Sequence, residues 1–193
     1  MITSVLSLAV ANKVASVQLE AQKIADGYFV SNSSYTITYD ISSRGEIKGN
    51  LAEFRQIVAE TYADARGWKR AGVTMKEVAS GGQAHVILAS GAQVAAASPG
   101  CSAKLSCRVG SLVLINDDRW NNGSESYDEL GVPLIDYRRM VINHETGHFL
   151  GHDHIQKCGT DGGLGPIMIQ QSTGLVNCRP NSWPLPNELW VKR

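Results

Sequence analysis

Four of the five histidines of this 193-residue chain, His144, His148, His152 and His154, lie in one short run. Imidazole ligates transition metals and titrates near neutrality, so this crowding constrains the local fold before any other feature does. The run reads His144-Glu145-Thr146-Gly147-His148-Phe149-Leu150-Gly151-His152-Asp153-His154. On a helix, residues four apart stand over one another, so His144 and His148 point the same way and can hold one ion. Glu145 projects from an adjacent direction, in reach of a water on that ion without ligating it. His152 lies a further turn on, too far from the ion. The chain must bend back to supply a third ligand, and Gly151 permits the bend because it tolerates positive φ. His154 then returns as that ligand. Three neutral imidazoles leave one tetrahedral position open, the arrangement of a catalytic rather than a structural zinc. The first five positions alone would arise by chance in about one chain in two hundred of this length. Requiring Gly151 and His154 as well lowers this to the order of 10⁻⁵, which disfavours four merely solvated histidines.

The rest of the composition narrows the class. There are 18 basic and 18 acidic side chains and no net charge, so no basic surface for nucleic acid is expected, nor a polybasic membrane patch. The 43% hydrophobic content supports a packed core and argues against disorder, while no apolar run is long enough for a membrane span. Oligomeric state is not readable. From Ile2 to Ala25 neither Gly nor Pro occurs, and Ile2, Val5, Leu6, Ala9, Val10, Val14, Val17, Ala21 and Ile24 approximate a helical stripe. Residues 1–30 are therefore read as a helical appendage and residues 31–193 as the main domain. The apolar run ending Ala9-Val10-Ala11 is short and lacks a basic flank, so it is not read as a signal peptide.

Cys101, Cys107, Cys158 and Cys178 lack the close pairing of a Cys-only zinc site. They are read as two disulfides, against four reduced thiols as the alternative, and hence as a sign of an oxidising compartment and a secreted or cell-surface protein. Of three connectivities the sequential one, Cys101–Cys107 and Cys158–Cys178, is expected. Along the chain, Tyr35–Ile41 alternates like a strand, and Leu51–Ala65 carries an apolar helical face capped by Asn50. Val73–Val78 and His85–Ala89 are short strands flanking the Gly81-Gly82 turn. A loop with the first two cysteines follows, then a buried strand Ser111–Asn116, a surface loop Asn121–Asp128, and a helix from Pro133 to about Leu150. The tail is too rich in Gly, Pro and Asn for regular structure. The order predicts an α/β (α+β) domain: a twisted mixed sheet, a backing helix, a site-bearing helix and an irregular C-terminal subdomain.

H-E-x-x-H-x-x-G-x-x-H followed by a methionine turn resembles the signature of the metzincin zinc peptidases. Pro166-Ile167-Met168 stands where that turn would be, with Met168 as an apolar floor under the imidazoles. More narrowly, the chain resembles a family of secreted or membrane-tethered actinobacterial metzincin-like domains. The pieces that carry this are Ser106-Cys107-Arg108-Val109-Gly110, Ile115-Asn116, Arg119-Trp120, Tyr137 through Glu145, Gln170-Gln171, Gly174-Leu175, Cys178 and Asn181-Ser182-Trp183-Pro184. The resemblance spans Tyr35 to Pro184 and is closest after Ala89. It implies a zincin-like fold and a Zn2+ ion on His144, His148 and His154. It also implies hydrolysis of a protein or peptide by a zinc-bound water that Glu145 deprotonates. Two positions depart from better-known metzincins. Ile155 follows the third histidine, so no subfamily preference carries over, and Gln170 stands where some members place a ligating Tyr.

Neighbouring residues have plainer readings. His152 suits hydrogen bonding at the helix end, Asp153 a turn or a partner of a ligand, and Cys158 a disulfide. His85 is structural, Tyr137 packs, and Arg138 and Arg139 are solvated charge. Trp183 and Trp190 cover the lower core. Substrate is expected to add a strand to the free sheet edge. Rival readings are a metal-holding scaffold without turnover, against which Glu145 counts, a zinc amidase acting on cell-wall peptides, and a zymogen closed by the N-terminal helix.

Overall fold

The computed structural model describes residues 34–159 and 161–192; the expected N-terminal appendage lies outside the described residues. Five strands, β1 (Tyr35–Arg44), β2 (Val73–Glu77), β3 (Ala84–Ala89), β4 (Cys107–Val109) and β5 (Leu112–Asn116), form one mixed sheet in the order β2-β1-β3-β5-β4. The first four in that order are parallel, and β4 runs antiparallel against β5, with Arg108 opposite Val113. The central strand β3 is buried on both faces from Val86 to Ala89, which is why that stretch is an apolar run rather than an alternating one.

Among the described residues there are five α-helices: α1 (Leu51–Ala63), α2 (Gly91–Ala95), α3 (Asp117–Asn122), α4 (Glu125–Glu129) and α5 (Leu134–Phe149). The Asn50 side chain caps α1 by accepting from the amides of Ala52 and Glu53. The inner face of α1, Phe54, Ile57, Val58 and Tyr62, joins Tyr39, Ile41, Val86, Leu88, Val113, Ile115 and α5 in the main core. At about 1.5–3 kcal/mol per fully buried large apolar side chain, this layer holds α5 against the sheet. The opposite face of the sheet carries a smaller cluster of Ile87, Ala89, Val94 and Leu114, with Cys101, Cys107 and Val109 packed against it. The tail is pinned by the short strands β6 (Gly163–Leu164) and β7 (Cys178–Arg179).

Three expectations are corrected. The Asn121–Asp128 surface loop is part of α3 and α4, because Trp120 and Tyr127 are buried anchors and Asn116 caps α3 through the amides of Asp118 and Arg119. The cysteine loop ends in a strand, β4, at the sheet edge. Arg138 is not solvated charge: its guanidinium lies 4.6 Å from the Trp120 ring centroid and pairs with Glu53 at 2.9 Å. Both disulfides have the expected sequential pairing, and no helix among the described residues is long and apolar enough to cross a membrane.

A candidate metal centre beside the sheet edge

Helix α5 is buried over most of its second half, so it carries its polar residues inside rather than toward solvent. His144 Nδ1 donates to the Ile167 carbonyl at 2.7 Å, and His148 Nδ1 donates to the His152 carbonyl at 2.8 Å. A carbonyl only accepts, so both rings carry their proton on Nδ1 and keep a lone pair on Nε2. Those two Nε2 atoms lie 3.3 and 3.1 Å from His154 Nε2. Ligands at about 2.0–2.1 Å around a tetrahedral ion stand about 3.3 Å apart, so the spacing fits a metal. With its proton on Nδ1, His154 adds a third lone pair directed at the same point. His144, His148 and His154 thus form a group that could hold a metal ion.

Burial, helped by the neighbouring His148, holds His144 down to about 3. Burial likewise lowers His148 and His154. All three rings are therefore neutral at neutral pH, and an incoming cation need not displace a proton from them. Glu145 sits beside them, buried, and its Oε2 has no hydrogen-bond partner. Burial pushes this carboxyl up to about 8, with the Arg108 charge acting in the opposite direction.

The bend that returns His154 is a helix stop built on Gly151. The Gly151 amide donates to the His148 carbonyl and the His152 amide to the Gly147 carbonyl, with Gly151 at φ +101°. A side chain there would strike Lys192. His152 takes no part in the group: its Nε2 donates to the Trp190 carbonyl at 2.9 Å and its ring lies 3.7 Å from that of Trp190. Asp153 lines the cleft from an exposed position.

Met168 is fully buried where the methionine turn was expected, and its carbonyl accepts from the Ile155 amide at 3.0 Å. It reaches α5 through Gly147, where a Cβ would overlap Met168 Sδ and crowd the Trp68 ring. Gly147→Ala should accordingly destabilise the protein by about 1–3 kcal/mol through overpacking and weaken metal retention by separating the turn from the helix. Denaturant midpoints measured with and without metal would check both effects, and an unchanged midpoint would show that the contact is not tight.

Several residues contribute in ways that the sequence reading did not assign. Arg108 on β4 projects to the face opposite Cys107 and Val109, and its Nη2 donates to the His148 carbonyl, tying the sheet edge to α5. Glu188 from the tail accepts from the amides of Ile167 and Met168. The side chain of Gln171, one residue past Gln170, bridges Tyr127 and Asn181 beneath the cleft. All three are single polar residues whose partners lie far along the chain, so no local pattern marks them. The cleft itself runs past the histidines between β4 and residues 170–173, with Met140 and Val141 also lining it. Ser172 is held by the Tyr137 hydroxyl at 3.0 Å.

A mixed α/β domain with three histidines and a buried carboxylate gathered at the end of one long helix is the class of protein that these features define. Within it, the chain belongs to the family described as protein of unknown function (DUF3152), which matches residues 9–186. No curated protein matches the chain.

Proposed function

We propose that the protein is a zinc-dependent endopeptidase of the metzincin type, secreted or held at the cell surface. The observation that carries this reading is the convergence of three imidazole nitrogens, with His154 Nε2 at 3.3 and 3.1 Å from the Nε2 atoms of His144 and His148, beside a buried, unpartnered Glu145 oxygen in one open cleft. Burying a carboxylate without a partner is costly, and a purely structural metal clamp gains nothing from it. Met168 at the expected turn, the helix stop at Gly151 and two disulfides support the same reading.

His144, His148 and His154 would hold the zinc ion, which when bound would supply a Lewis acid able to polarise a scissile carbonyl and lower the pKa of water to about 7. Glu145 accepts the proton of the attacking water and passes it to the departing amine. The burial that favours its protonated form suits the second transfer, and the charge of a bound cation favours its ionised form for the first. The outer edge of β4 has no strand partner among the described residues and borders the cleft, so an extended substrate can add there as a further strand. Arg108 fixes that edge relative to His148.

The test is a mixed peptide library incubated with zinc-loaded protein. Internal cleavage that a chelator stops and added zinc restores is the expected result. Absence of cleavage by protein with bound zinc would favour a holding role, and cleavage confined to cell-wall stem peptides would favour the amidase reading.

A further inference from the structure

The tail segment 185–192 touches the candidate centre at three points. The Trp190 carbonyl accepts from His152 Nε2, the Lys192 amide donates to the Leu150 carbonyl at 3.0 Å, and Glu188 reaches the methionine turn. The third contact differs in kind. Glu188 is 1% exposed, and its carboxylate meets three main-chain donors: Oε2 accepts from Ile167 at 2.9 Å and Leu185 at 2.7 Å, and Oε1 from Met168 at 2.9 Å. The Met168 N–H and the Ile167 carbonyl belong to one peptide unit, which is planar and rigid. On the far side of that unit, the Ile167 carbonyl accepts from His144 Nδ1 at 2.7 Å. A carboxylate, one peptide plane and an imidazole thus stand in series, each bond polarising the next.

We propose that Glu188 is a positioning residue for His144, acting through the Ile167–Met168 peptide unit to fix the orientation and tautomer of that ring as a metal ligand. Metal-ligating histidines are commonly held by a carboxylate or a carbonyl on their second nitrogen; here the carboxylate acts one peptide farther out. The inference rests on the reading of His144, His148 and His154 as metal ligands and would hold for any divalent ion bound there.

Glu188→Gln tests it, because the variant keeps the shape and one acceptor oxygen. That oxygen is best used at the Oε2 position, which serves two amides, so the new NH2 group faces the Met168 N–H and breaks the relay. The full chain should then bind Zn2+ about ten-fold more weakly in chelator competition, and its Co2+ form should show shifted d–d absorption bands. A merely structural Glu188 would lower the melting temperature of the metal-free protein while leaving the Co2+ spectrum and the affinity within two-fold of wild type, and that result overturns the proposal. Amide exchange on wild type requires no variant. By linkage, metal should slow exchange at Ile167, Met168 and Leu185 together, and unchanged exchange at these amides overturns the proposal as well. Wild-type protein that binds neither Zn2+ nor Co2+ would instead remove the metal reading beneath it.

Discussion

Glu145→Gln should keep one metal ion per chain and lose peptide turnover by about a thousand-fold. The three ligand nitrogens do not depend on the carboxylate, and glutamine fills the same space, but an amide cannot accept and return a proton. The same variant has a second signature in metal-free protein. Burial raises Glu145 to about 8 in the fold, whereas the unfolded chain ionises near the ordinary 4.5. Between those values the unfolded state releases a proton that the folded state keeps. Wild-type stability therefore falls as pH rises from about 4.5 to about 8. The variant lacks this loss, so at pH 8 it should be more stable than wild type by roughly 4 kcal/mol, with the gap closing toward pH 4.5. His144 acts in the opposite sense: held down to about 3, it withdraws stability as pH falls below its ordinary value. That contribution is common to both proteins and cancels in the comparison. Denaturation in chelator at the two pH values measures the difference. Parallel pH profiles would mean that the Glu145 carboxyl does not feel the buried environment described here.

What could be read from the sequence was what local spacing encodes. The alternation of β1, the Asn50 cap and face of α1, the apolar runs of β3 and β5, and the Gly151 stop all depend on residues within a few positions of one another. The grouping of His144, His148 and His154 was readable for the same reason, since one helical turn and one bend suffice to bring them together. The elements that escaped are specified at a distance. Strand β4 spans three residues, too few to show alternation, and exists because β5 offers it a partner. Helices α3 and α4 are short and polar on the outside, and the burial of Trp120 and Tyr127, with the Asn116 cap on α3, holds them. Trp120 in turn lies against Phe54 of α1 at 4.8 Å, far away in sequence. The Arg108 bond to His148 and the Glu188 bonds to Ile167 and Met168 cross 40, 21 and 20 residues. Nothing near either side chain announces its partner.

His154→Ala should abolish stoichiometric zinc while leaving the metal-free fold nearly as stable as wild type. His154 is exposed, and the contacts given for its ring are with His144 and His148, so no main-chain bond and little buried packing are lost with it. A ligand is worth roughly 3–4 kcal/mol if the binding energy of a four-ligand zinc site is shared evenly, so affinity should drop by about a thousand-fold. His144→Ala loses metal too, but it also removes a buried ring and strands the Ile167 carbonyl, so its metal-free form should be less stable by roughly 2–3 kcal/mol. His152→Ala separates ligation from support. It removes the bond to Trp190 and the stacked ring at the bend, so it should destabilise the metal-free protein yet keep zinc at one per chain. Metal analysis paired with thermal denaturation in chelator distinguishes the three variants. Zinc retained at full stoichiometry by His154→Ala would mean that the ion is held elsewhere, and Glu145 would lose its partner in the chemistry.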